Sequence, residues 1–295
     1  MTSTEMAVNA ARLEFTSSIS NRDYRLFVSV PPGDAPVAGW PVVYLMDGNL
    51  HFGITVDTLR IQACWPETQN AVVVGIGYPT DSLQTALALR NFDLTPPHDS
   101  SLAEDHWMRA MGSLDDFGGQ SAYLRMIEEE VKPLVAKHCP INAADQTLIG
   151  HSLGGLTCLT SMFTAPANFQ HYAAISPSIW FNNRSVLSYV EGFEATMKTG
   201  DAKVRLFLST GEYEEISPMR PRYPAKGVPV PESTFQAMWN ECAMVTLPSQ
   251  LTERLKPLCG PNFDMKFVIH REEDHRSVVP AGIAGGIYFS QYRPD

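Results

Sequence analysis

The sequence predicts an α/β fold with a mostly parallel central sheet, an antiparallel N-terminal start and helices on both faces. Two observations carry this: short, dense apolar runs recur along the chain, and segments with helical spacing fall between them. The length of 295 residues suits one domain, 1–295, and 44% hydrophobic residues can fill a sizeable core.

Leu13 to Ser20 and Tyr24 to Val30 read as two strands joined by the turn-prone Asn21-Arg22-Asp23, and Pro31-Pro32-Gly33 ends the second. Pro41 to Met46 and Ala71 to Ile76 are apolar throughout, as in strands buried on both faces. Between them Phe52 to Cys64 has helical spacing and stops near Pro66. Tyr123 to Val135 has apolar residues at 123, 124, 127, 131, 134 and 135 with charges between them, an amphipathic helix. It leads into a strand at Thr147 to Ile149. Tyr172 to Ile175, Val204 to Leu208 and Met265 to Ile269 complete the strands, and Val278 to Tyr292 reads as a closing helix. Two segments break the rhythm. Residues 78–119 read as a long loop insertion, and 211–231 as an irregular, proline-rich segment. Each is expected to act as a gate or specificity wall, the alternative being an inert surface excursion.

Gly150-His151-Ser152-Leu153-Gly154 follows the apolar run Gln146 to Ile149 and opens a helix-compatible segment. Strand, sharp turn and helix make a nucleophile elbow: the serine sits on a strained turn, and small residues two before and two after it avoid collision. Ser152 is therefore the candidate nucleophile; the bland alternative is a glycine-rich turn. On this constellation the triad order is Ser, then Asp or Glu, then His. Of the histidines after Ser152, His171 comes too soon to leave room for the acid, and His270 ends the last strand. His275, in the loop beyond that strand, is the expected base. The acid should follow Val204 to Leu208, where Glu212, Glu214 and Glu215 compete. Glu214 is preferred for its spacing from Gly211, Glu212 is the reserve and Glu215 the third choice. For the oxyanion hole, one donor should be the Leu153 N-H and the other the N-H of Gly48 or Asn49, in the turn after the third strand.

Composition excludes several classes. A net charge of −10 without any Lys/Arg run argues against a nucleic-acid partner. Met1 to Phe15 lacks the apolar region of a signal peptide, and no apolar run approaches membrane-spanning length. Five scattered cysteines without a C-x-x-C pair read as reduced thiols, so a cytoplasmic location is expected.

Several segments together resemble the putative-esterase (esterase D-like) family of α/β-hydrolases, with a pattern similar to the siderophore esterases that open enterobactin and salmochelin. They are Tyr44 to Asn49, Gly75 to Tyr78, Arg90 to Pro96, Gly118-Gly119, Gly150 to Gly155, Ile175 to Trp180 and Asp274 to Pro280. The resemblance implies an α/β-hydrolase fold and serine-dependent ester hydrolysis with no metal or cofactor. The expected partner is a small-molecule ester, siderophore-like or otherwise aromatic or macrocyclic, and neither a nucleic acid nor a membrane. The same nucleophile would also serve an acyltransferase, and a non-catalytic binding protein is the remaining alternative. Ser152 and His275 match the family's nucleophile and base. Some members of the siderophore branch work with a Ser-His dyad, which keeps the acid open. Arg90 matches a substrate-binding arginine and reads equally as a structural partner of Asp93. Trp180 reads as acyl-pocket lining or core. Arg276 stands where glycine is common and places a cation beside the base.

Overall fold

The computed structural model describes residues 10–98, 116–215 and 241–293. Its strands are β1 (Ala10–Thr16), β2 (Asp23–Ser29), β3 (Trp40–Leu45), β4 (Val72–Gly77), β5 (Ile141–His151), β6 (His171–Ile175), β7 (Val204–Gly211) and β8 (Phe263–His270). They form one sheet in the order β1-β2-β4-β3-β5-β6-β7-β8. β1 pairs antiparallel with β2 and β2 with β4; every other pairing is parallel. Alternation along the central strands feeds two cores. Val42 and Tyr44 of β3 and Leu148 of β5 enter one, while Val43, Leu45 and Ile149 enter the other. Burial on both faces is why these strands are apolar throughout.

β1 stops at Thr16, short of the expected Ser20, because the chain turns at Ser17. The Ser17 hydroxyl accepts the N-H groups of Ile19 and Ser20, and its carbonyl accepts that of Asn21. Helix α1 (Gly48–Gln62) begins four residues before Phe52, directly after Asp47 in the left-handed region. The stretch 78–119 holds a helix, α2 (Leu83–Asp93), capped by the Ser82 hydroxyl accepting the Thr85 N-H. Residues 99–115, within that expected loop, and 216–231 of the expected irregular segment lie outside the described residues. The amphipathic segment becomes α3 (Gln120–Met126) and α4 (Lys132–His138), joined by a π-helical turn at Ile127–Val131. After the elbow runs α5 (Leu153–Thr164), and Val278–Gln291 forms the closing helix. Helices at Val190–Thr199 and Thr246–Leu255 add to the expected set. All five cysteines are free.

From β3 the chain winds to β4 on one side, and from β5 to β6, β7 and β8 on the other. The winding reverses between β3 and β5, and ligands of α/β sheets bind at the carboxyl ends of strands beside such a reversal. Asp47-Gly48 and Ser152 both follow those ends.

Candidate active site

Ser152 occupies the turn between β5 and α5 at φ 60°, ψ −118°, a conformation rare for a residue with a side chain. The turn is tight enough that a Cβ on Gly150 would collide with the Gly154 carbonyl. Main-chain bonds clamp it: the Ser152 N-H donates to Ile175 O at 3.0 Å, and its carbonyl accepts from Leu156 at 2.9 Å and Ser178 at 3.1 Å. Held this way, the Ser152 hydroxyl lies 2.9 Å from His275 Nε2. His275 Nδ1 lies 2.5 Å from Glu214 Oε2. The Ser178 hydroxyl stands 3.4 Å from Ser152 Oγ.

The three competing carboxylates have different partners. Glu214 follows β7 in the short turn Glu212–Glu214 and is only 3% exposed. Its Oε1 accepts the Gly211 N-H at 2.6 Å, the Ser176 hydroxyl at 2.5 Å and the Thr210 hydroxyl at 3.2 Å. These donors satisfy one oxygen and turn the other toward His275. Glu212 instead accepts the Glu272 N-H at 2.9 Å, tying the loop that carries the histidine to the end of β7. Glu215 accepts the N-H groups of Val245 and Thr246 at 2.9 and 2.6 Å, at the start of the helix Thr246–Leu255. That loop is shaped locally by Asp274, whose Oδ1 accepts the N-H groups of Arg276 and Ser277. The hydrogen bond from the exposed Arg276 guanidinium, 2.8 Å away, leads the effects that hold the Asp274 carboxyl down to about 2. Arg276, next in sequence to His275, is paired with Asp274.

Arg90 corrects the sequence reading. Its partner is Asp47, not Asp93: Nε and Nη2 reach the two Asp47 oxygens at 2.6 and 2.8 Å, with the side chains 10% and 3% exposed. Asp93 instead accepts the Tyr78 hydroxyl at 2.9 Å and lies 3.6 Å from Arg22. The i,i+3 spacing on α2 would let Arg90 and Asp93 meet, but Arg90 is engaged bidentately by Asp47, and Asp93 is taken up by Tyr78 and Arg22. Arg90 Nη2 also reaches the His151 carbonyl at 3.3 Å, so the pair links the turn after β3 to the residue before Ser152. Trp180 is buried, its ring 5.8 Å from that of Phe181. Gly48 and Leu153 are the first residues of α1 and α5, where helical N-H groups have no intrahelical acceptor. The Asn49 side chain is committed elsewhere, donating to Tyr78 O and Thr80 O and accepting the Tyr78 N-H. His171 sits at the amino end of β6, 3.3 Å from Asp145. Ser176 and His151 both adjoin the triad-like line although the sequence reading assigned them no role; their signal was only their position inside quoted motifs.

An imidazole hydrogen-bonded to a buried carboxylate at one nitrogen and to a serine hydroxyl at the other is the arrangement that general-base activation of an alcohol requires. The sequence profile of the family described as Putative esterase matches residues 17–254. The chain belongs to the putative esterase family. Among its relatives is the ferri-bacillibactin esterase BesA of Bacillus subtilis (strain 168), 32% identical over 283 residues, which cover 95% of this chain and 88% of that protein. Among solved structures, the BES protein from Bacillus cereus superposes with TM-score 0.82 at 29% identity, covering 99% of this chain and all of that one. The siderophore hydrolase EstA from Aspergillus nidulans gives 0.81 at 30% identity, covering 98% and 97%. This member of the putative esterase family has the α/β-hydrolase fold and is an esterase. Among its described residues no helix is long and apolar enough to cross a membrane.

Proposed function

We propose that the protein is a serine carboxylic ester hydrolase that works through an acyl-enzyme on Ser152 and takes a siderophore-like, aromatic or macrocyclic ester. The observation that carries this reading is the hydrogen-bonded line from Ser152 through His275 to the buried Glu214. In the reaction, His275 Nε2 takes the Ser152 proton as Oγ bonds to the ester carbonyl carbon. Glu214 accepts the Nδ1-H and stabilises the imidazolium. The N-H groups of Leu153 and Gly48, with that of Asn49 beside them, are assigned to the developing oxyanion, each coming from the first turn of a helix. Collapse of the tetrahedral intermediate breaks the bond to the alcohol oxygen, which leaves with the proton from His275. Water then repeats the sequence: its proton goes to His275, its oxygen bonds to the acyl carbon, and the acid leaves as Ser152 recovers its proton.

The substrate class comes from the relatives, whose names include a ferri-bacillibactin esterase and a siderophore enterobactin esterase. Turnover of p-nitrophenyl esters and of a catecholate trilactone tests both parts. Ser152→Ala is expected to lower kcat by at least about ten-thousandfold, and His275→Ala by a comparable factor. A fully active Ser152→Ala protein would overturn the mechanism. Rapid turnover of simple esters with none of the trilactone would overturn the substrate class alone.

A further inference from the structure

His275 hangs from a loop, and its side chain is 41% exposed. Its two hydrogen bonds, to Glu214 and Ser152, hold the ring at its edge and leave its faces open to packing. His151 packs against the ring. The two ring centroids are 4.5 Å apart with planes tilted by 39°. The His151 Nε2 is buried without a hydrogen-bond partner. A third imidazole, His51 of α1, meets His151 edge-on at 5.9 Å.

We propose that His151 is a positioning residue for His275, bracing its ring so that Nε2 stays within reach of Ser152 Oγ during proton transfer. The proposal rests on the assignment of Ser152 and His275 as nucleophile and base. Burial first, then the charges of His275, His51 and Arg90, push the His151 pKa well below its ordinary value, so the ring stays neutral beside the base. A neutral aromatic face attracts the imidazolium that forms on His275, whereas a charged one would repel it. The groups facing the two rings are Glu214 on His275, and His51 and Arg90 on His151, with Asp47 paired to Arg90.

The test measures kcat, KM and the pH profile of kcat/KM for p-nitrophenyl acetate with wild type, His151→Leu, His151→Phe and Ser152→Ala. His151→Leu is expected to lower kcat about tenfold with KM within about twofold, because support of the base is lost while substrate binding is not. Its acidic limb should move to lower pH, because the imidazolium loses its aromatic face. His151→Phe restores that face and should recover most of kcat and the position of the limb. A purely structural role would lower both variants alike, in proportion to active sites lost on titration, with the limb unmoved. Folded His151→Leu with wild-type kcat or an unmoved limb overturns the proposal; if that variant does not fold, His151→Gln is held to the same outcomes. Turnover that survives Ser152→Ala overturns the underlying assignment instead.

Discussion

Asp47, Ser152 and Ser176 each adopt positive φ, 58°, 60° and 43°, just past the ends of β3, β5 and β6. None is glycine, so each carries a steric cost of about 1–3 kcal/mol that the surrounding contacts must offset. In each case the contact leads to the site: Asp47 to Arg90, Ser152 to His275, Ser176 to Glu214. Ser176→Ala should therefore leave Glu214 Oε1 short of a donor, lowering kcat about tenfold with little change in KM, and costing about 1–3 kcal/mol of stability. Steady-state kinetics with a denaturation curve check this, and unchanged kcat would place Ser176 outside the mechanism. Arg90 behaves differently. Burial opposes its charge, but Asp47 outweighs that and pushes its pKa up. Arg90→Met would strand a buried carboxylate, and a loss of about 3–5 kcal/mol in urea unfolding is expected. Ser152 and His275 were legible as candidates because motif and chain order restrict them. Arg90's partner was not, because Asp47 lies 43 residues away and the interrupted apolar pattern of α2 reads as loop.

At the scale of elements, the parallel strands and the amphipathic segment were legible because burial on one or two faces writes a period into the chain. The helix α2 was not, since its apolar residues are interrupted and Leu83 and Leu87 face solvent; its readable mark was Ser82 at the N-cap. The helix Thr246–Leu255 likewise depends on a distant cap. Glu215 accepts its first N-H groups and the Thr246 hydroxyl. A carboxylate there satisfies unpaired donors and complements the helix dipole. Glu215→Ala is expected to lower stability by about 1 kcal/mol while leaving ester turnover within about twofold, since the carboxylate hydrogen-bonded to His275 is Glu214. A large loss of kcat in that variant would mean that Glu215, not Glu214, serves the histidine.

For the whole molecule, burial leads the effects that lower the pKa of His51, His151 and His171 below the ordinary 6.5. The sign follows from proton counting. Above pH 6.5 both folded and unfolded chains keep these rings neutral, and they contribute nothing to pH dependence. As pH falls below 6.5 the unfolded chain binds protons that the folded chain refuses, so stability falls with pH until the folded rings titrate. Each ring contributes a slope of up to about 1.4 kcal/mol per pH unit. Melting temperature should therefore drop between pH 7 and 5, and a His171→Gln variant should show a shallower drop. A flat profile would contradict neutral burial. The sequence by itself determined the layered α/β architecture, the elbow serine and the candidate base, because periodicity, turn chemistry and chain order are local or ordinal properties. Only the tertiary structure brought Glu214, rather than Glu212 or Glu215, against His275, paired Arg90 with Asp47 and laid His151 against His275. Those outcomes depend on how strand ends far apart in the chain converge, where a single residue's shift in a turn redirects a side chain to a different partner.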